Sequence, residues 1–129
     1  MATEDGSGNA WGLRINSSAE LEVFYGALGS ETTKTASSTL STSTAYLVTV
    51  LSDDTNITIR LNGADDLAAT AGLWWGDTAS RTNWTAGAVD NAGTPEQFFE
   101  GKIATVQWYE EDDDVATIES ALNTTYNVY

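Results

Sequence analysis

In Asn56-Ile57-Thr58-Ile59-Arg60-Leu61-Asn62-Gly63 (NITIRLNG), apolar and polar residues alternate strictly, with Ile57, Ile59 and Leu61 on one side and Asn56, Thr58 and Arg60 on the other. A period of two is that of a half-buried strand. The run ends in Asn-Gly, the pair that best accepts positive φ at both centres of a type I′ turn. A hairpin is therefore expected, with a short partner strand near residues 67–71.

Outward from this hairpin the chain continues in β pattern. Residues 45–52 (AYLVTVLS) are apolar on both faces, as a central sandwich strand requires, and Asp53-Asp54 turns the chain. Residues 11–16 and 19–27 form a further hairpin around Asn16-Ser17-Ser18, with Leu21, Val23 and Tyr25 alternating with Glu20, Glu22 and Phe24. Residues 29–44, rich in Ser and Thr, read as a long loop with room for an edge strand. Downstream, residues 73–77 (LWWGD) read as a strand and 78–96 as an irregular segment holding Trp84 and the only proline, Pro95. Residues 98–110 (FFEGKIATVQWYE) resume the strand pattern, with Gly101 as a bend. Val115, Ile118, Ala121 and Leu122 then recur at helical spacing behind Asp112 to Asp114, which suit a helix N-terminus. Six or more strands joined by hairpins and one short C-terminal helix predict an all-β, antiparallel sandwich over residues 11–129, with residues 1–10 a flexible N-terminal segment.

Composition limits the function. The 129 residues suffice for one core. Five basic residues stand against 19 acidic ones, a net charge of -14. A phosphate backbone or an anionic bilayer needs Lys and Arg to displace counterions, so neither is an expected partner. The chain contains no His and no Cys. Disulfides, thiolate or imidazole metal sites and the commonest general base are thereby excluded, which argues against an enzyme. No run approaches a membrane span. Read as a whole product without a leader, the chain is expected to be made in a cytoplasm.

The C-terminal quarter resembles a known family. Phe99-Glu100-Gly101-Lys102-Ile103-Ala104-Thr105-Val106-Gln107-Trp108-Tyr109 is similar to the closing strand of laminin-G-like, concanavalin A-like jelly rolls, which a short capped helix follows. The strand at 46–50, the Asp53-Asp54 turn, the NG hairpin and Leu73-Trp74-Trp75-Gly76 occur in that family's order. The resemblance implies an antiparallel jelly-roll sandwich, lectin-like, and covers most of residues 45–122. The family opens with extra strands for which this chain has no room. The shortened front implies an exposed edge and hence a homo-oligomer or a docked position in an assembly.

Related glucan hydrolases carry three alternating acids (E-x-D-x-x-E). Here only Glu20 and Glu22 share a strand face, without the third, and a solvated face is the expectation. Asp53, Asp54, Asp77 and Asp90 fall on turns or a loop where related domains hold calcium, so Ca2+ is the one cofactor this reading admits. Trp11, Trp75 and Trp108 are expected in the core. Trp84, with Asn83 beside it, and Trp74 are the candidates for stacking on a sugar or a partner. Two functions follow. The first is a non-enzymatic structural or interaction protein, such as a capsid decoration or tail surface component of a phage-like virion, made in the host cytoplasm, binding itself or capsid and tail proteins and adhering weakly to cell-surface glycans. The second is an extracellular carbohydrate-binding module.

Overall fold

A computed structural model describes residues 1–5, 8–72, 83–109 and 114–129. Along the described chain run strands β1 (Ala2–Glu4), β2 (Asn9–Ile15), β3 (Glu20–Ala27), β4 (Thr32–Thr39), β5 (Val48–Ser52), β6 (Asn56–Leu61), β7 (Ala64–Ala71), β8 (Asn83–Thr85), β9 (Val89–Asn91) and β10 (Thr94–Glu96), then helix α1 (Val115–Tyr126). Every pairing among them is antiparallel. The strands form a five-stranded sheet in the order β4-β3-β2-β1-β8, a three-stranded sheet β5-β6-β7 and a ribbon β9-β10.

The NG hairpin forms as the sequence predicts. Asn62 and Gly63 both take positive φ, 52° and 80°. The Asn62 side chain also accepts from the Leu47 amide at 3.0 Å, tying the turn to the entry of β5. Alternation on β6 buries Ile57 and Ile59 completely. They meet Trp11, Leu21, Val23 and Ala36 of the five-stranded sheet in the main core, with Val48, Val50, Leu61 and Leu67 packed around them. Two sheets thus bury one face each, which is the energetic basis of a sandwich.

On its other face the five-stranded sheet carries a second, smaller core of Ala2, Ala10, Phe24 and Val89, closed by the β9-β10 ribbon. Gly12 is required here: a Cβ at that position would run into the Phe24 ring and stand 2.9 Å from the Met1 carbonyl oxygen. Arg14 lies 4.6 Å above the same ring and pairs with Glu22 at 2.8 Å. Glu22 is therefore buried rather than solvated, its other oxygen taken by the Thr35 hydroxyl.

Helix α1 is tied to the outer face of the three-stranded sheet through Glu119. Asp114 caps it, accepting from the amides of Ala116 and Thr117 and from the Thr117 hydroxyl. Glu119, almost fully buried, receives Arg60 through two hydrogen bonds of 3.0 and 2.9 Å.

Three expectations are corrected. The N-terminal segment expected to be flexible contributes β1, buried and paired on both sides with β2 and β8, because Ala2, Thr3 and Glu4 fill the gap between two strands that do not otherwise meet. The edge strand that the reading of 29–44 admitted is β4, at 32–39: its Thr and Ser side chains, β-tolerant and hydroxylated, suit an edge, and Ser37 and Ser38 bond Asp66 of β7. The irregular segment holds three short strands, β8 to β10. Residues 98–109, expected as the closing strand, join no strand among the described residues and lie exposed, with their alternation unmatched by a partner ladder. The strand expected at 73–77 lies outside the described residues.

Candidate functional site

The most distinctive surface lies where β8 meets residues 98–109. β8 is the edge of the five-stranded sheet, and Trp84 sits directly opposite Thr3 of β1. Successive strand residues point to opposite faces. Trp84 therefore shares the face of Thr3 and Trp11, the face turned toward the main core, whereas Asn83 and Thr85 share that of Glu4 and Ala2. The three-stranded sheet spans fewer strands than the five-stranded one, and Trp84 at the rim stays 45% exposed. Trp108 stands against it, ring centroids 4.2 Å apart and planes tilted by 59°. The backbone is pinned at the other end of the segment, where the Phe99 amide donates to the Gly87 carbonyl at 2.8 Å.

Between these anchors the chain exposes Phe98, Phe99, Ile103, Val106, Trp108 and Tyr109. Isolated exposed apolar residues are ordinary, but six within twelve positions are a concentration of the sort found at interaction sites. Its charge is balanced, Glu100 against Lys102, in a chain of net charge -14.

The predicted ligand residues separate. Asn83 is on the opposite face from Trp84 and donates to Asp90 Oδ2 at 2.6 Å. Asp90 Oδ1 is buried with no hydrogen-bond partner. Trp74 lies outside the described residues. The predicted metal residues separate too. Asp53 and Asp54 form the β5-β6 turn, on the other sheet from Asp90, and Asp77 lies outside the described residues. Asp53 is a turn former: it accepts from the amides of Thr55 and Asn56 and from the Asn56 side chain. Those bonds, the Asn56 side chain first, hold its carboxyl below its ordinary pKa. Among the described residues no three acids gather as a divalent cation would require. Glu20 and Glu22 are engaged by Asn16 and by Arg14 and Thr35.

Trp108, expected in the core, is instead half-exposed, while Trp11 is buried as expected. Trp75 lies outside the described residues. A signal for the exposed segment was present: in 98–109 apolar residues occupy both parities, Phe98 with Phe99 and Trp108 with Tyr109, which a strand with one solvated face does not need.

No protein family, characterised protein or solved structure compared with the chain matches it. Among the described residues no helix is long and apolar enough to cross a membrane.

Proposed function

We propose that the protein is a non-enzymatic structural and interaction module, a reduced jelly-roll sandwich of laminin-G-like type that takes its place in a larger assembly through its aromatic rim. One observation carries this reading, the exposed apolar run from Phe98 to Tyr109 continuous with Trp84. Such a surface costs solubility unless a partner covers it. The acidity of the rest of the chain offsets that cost by mutual repulsion. A capsid decoration or tail surface component of a virion, assembled from chains made in the host cytoplasm, is the setting in which these properties combine. Sedimentation velocity across a wide concentration range tests it. A stable oligomer, or association through the rim that Trp108→Ala weakens, supports the reading; a strict monomer with no affinity for particle proteins overturns it.

A second reading rests on the Trp84–Trp108 pair. Two half-exposed indoles meeting at a tilt make a notch whose walls suit the C–H face of a sugar ring. That would make the chain a carbohydrate-binding module, with the rim as its site. A glycan array decides: wild-type binding lost in Trp84→Ala supports it, and silence of the wild type removes it.

A further inference from the structure

Helix α1 is amphipathic by sequence, yet it lies outside both cores. Val115, Ile118 and Leu122 reach only partial burial, and among the described residues neither apolar cluster takes in a side chain of α1. The one buried residue of the helix is Glu119, 3% exposed. Surface helices ordinarily dock through an apolar stripe. This one docks through a carboxylate.

All three strands of the smaller sheet contribute to the latch around Glu119. Arg60 of β6 donates from Nε to Oε1 at 3.0 Å and from a terminal nitrogen to Oε2 at 2.9 Å, and the Thr49 side chain of β5 adds a further hydrogen bond. Asp65 of β7 pairs with the other terminal nitrogen of Arg60 at 2.6 Å, and the Gly63 carbonyl also accepts from Arg60. Among the described residues Arg60, Asp65 and Glu119 are the charged groups of this latch. The tail travels with the helix, because the Asn123 side chain accepts from the amides of Val128 and Tyr129 and donates to the Tyr129 carbonyl. The Tyr129 hydroxyl lies 2.8 Å from where a Cβ on Gly63 would stand, so its ring rests on the glycine of the NG turn. One hairpin thus receives both Glu119 and Tyr129.

We infer that α1 with residues 127–129 is a detachable element latched by the charge on Glu119: when that carboxylate is neutralised, the helix leaves as a unit and the sandwich stays folded. The sheet side permits this, since Arg60 keeps Asp65 and the Gly63 carbonyl on its own hairpin and is not left as an unpaired charge. Neither core loses a side chain. Burial pushes the Glu119 carboxyl up, but the bonds from Arg60 and Thr49 outweigh it and hold the group below its ordinary value. A lowered folded-state pKa keeps the latch closed at neutral pH and opens it as pH falls through that value. Helices shorter than about 12–15 residues are marginal alone in water, so a released α1 also melts.

Hydrogen exchange resolved by peptide tests this, with Glu119→Gln at neutral pH standing in for the protonated state. Amides of residues 118–126 should exchange roughly tenfold faster than in the wild type, with β3 and β6 as protected as before. The helical far-UV signal should fall while the near-UV signal of the buried Trp11 persists. In the wild type the same acceleration should begin on acidification before the strands lose protection, and Glu119→Gln should show no such pH dependence. Ile118→Ala trims the apolar side of the helix and spares the latch; if it frees α1 as much as Glu119→Gln does, docking is apolar and the inference falls. Amides of α1 that exchange in step with those of the strands, in the wild type at every pH, also overturn it. So does loss of the whole fold in Glu119→Gln, which would make the helix inseparable from the sandwich.

Discussion

The β2-β3 hairpin and residues 98–109 have the same kind of sequence and opposite fates. Both are rich in β-forming residues, both carry Trp and Tyr, and both contain glycine. Trp11, Val23 and Phe24 are fully buried, while Val106, Trp108 and Tyr109 are about half-exposed. The hairpin's partner lies a few residues away across Asn16, whose side chain accepts from the amides of Ser18 and Glu20 and sets the turn. Closing so short a loop costs little. Among the described residues, 98–109 have no such hairpin neighbour: Gly101 interrupts one side, and the acid run before the helix follows the other. Alternation prepares a strand, but a ladder needs a second edge within reach.

This contrast can be broken by mutation. Trp11→Ala, which empties the centre of the main core, should lower the unfolding free energy by about 3–5 kcal/mol in urea titrations. Arg60→Ala should cost about 1.5–3 kcal/mol, because it leaves the buried Glu119 carboxylate without its charged donor.

The Arg60–Glu119 pair also sets a pH dependence. Burial pushes the Glu119 carboxyl up, but its hydrogen bonds from Arg60 and Thr49 outweigh this and hold it below its ordinary value. A depressed folded-state pKa contributes stability in full above the unfolded-state pKa of about 4.3 and loses it as pH falls through the folded value. Wild-type stability should therefore drop on acidification below about pH 4.3, and Glu119→Gln should flatten that part of the curve. An identical acid limb in Glu119→Gln would show that other carboxylates account for it.

Gly12→Ala should cost about 1–3 kcal/mol, since the added methyl must displace Phe24 or the Met1 carbonyl. The smallest effect belongs to the exposed region. Trp108→Ala, measured where the chain is monomeric, should cost about 0.5–1.5 kcal/mol, the worth of one aromatic pair. A loss equal to that of Trp11→Ala would mean that residues 98–109 are packed into the sandwich, and the contrast would fall.

Much of the fold was legible. Asn62-Gly63 specified its turn because few residue pairs accept two positive φ angles. Leu21, Val23 and Tyr25 specified an inner face because a strand has only two. Asp114 specified a helix start because its carboxylate satisfies amides that the helix leaves unpaired. The candidate site was legible only in Trp84. Its companion Trp108 read as core because an aromatic in a strand pattern is usually inside, and sequence spacing of 24 residues says nothing of contact. Asn83 read as a co-ligand from adjacency, yet adjacency on a strand is what separates two side chains.

By itself the sequence determined the local conformations: which residues alternate, where the turns fall, where the helix begins, and that imidazole chemistry is absent from this chain. Those follow from backbone sterics, side-chain capping and composition, which act over a few residues. Tertiary structure alone decided that Ala2–Glu4 would become an interior strand and that Trp108 would meet Trp84 at the rim. The reason is that strand pairing is non-local: the identity of a strand's neighbour is set by which edge remains open once the nearer hairpins have closed.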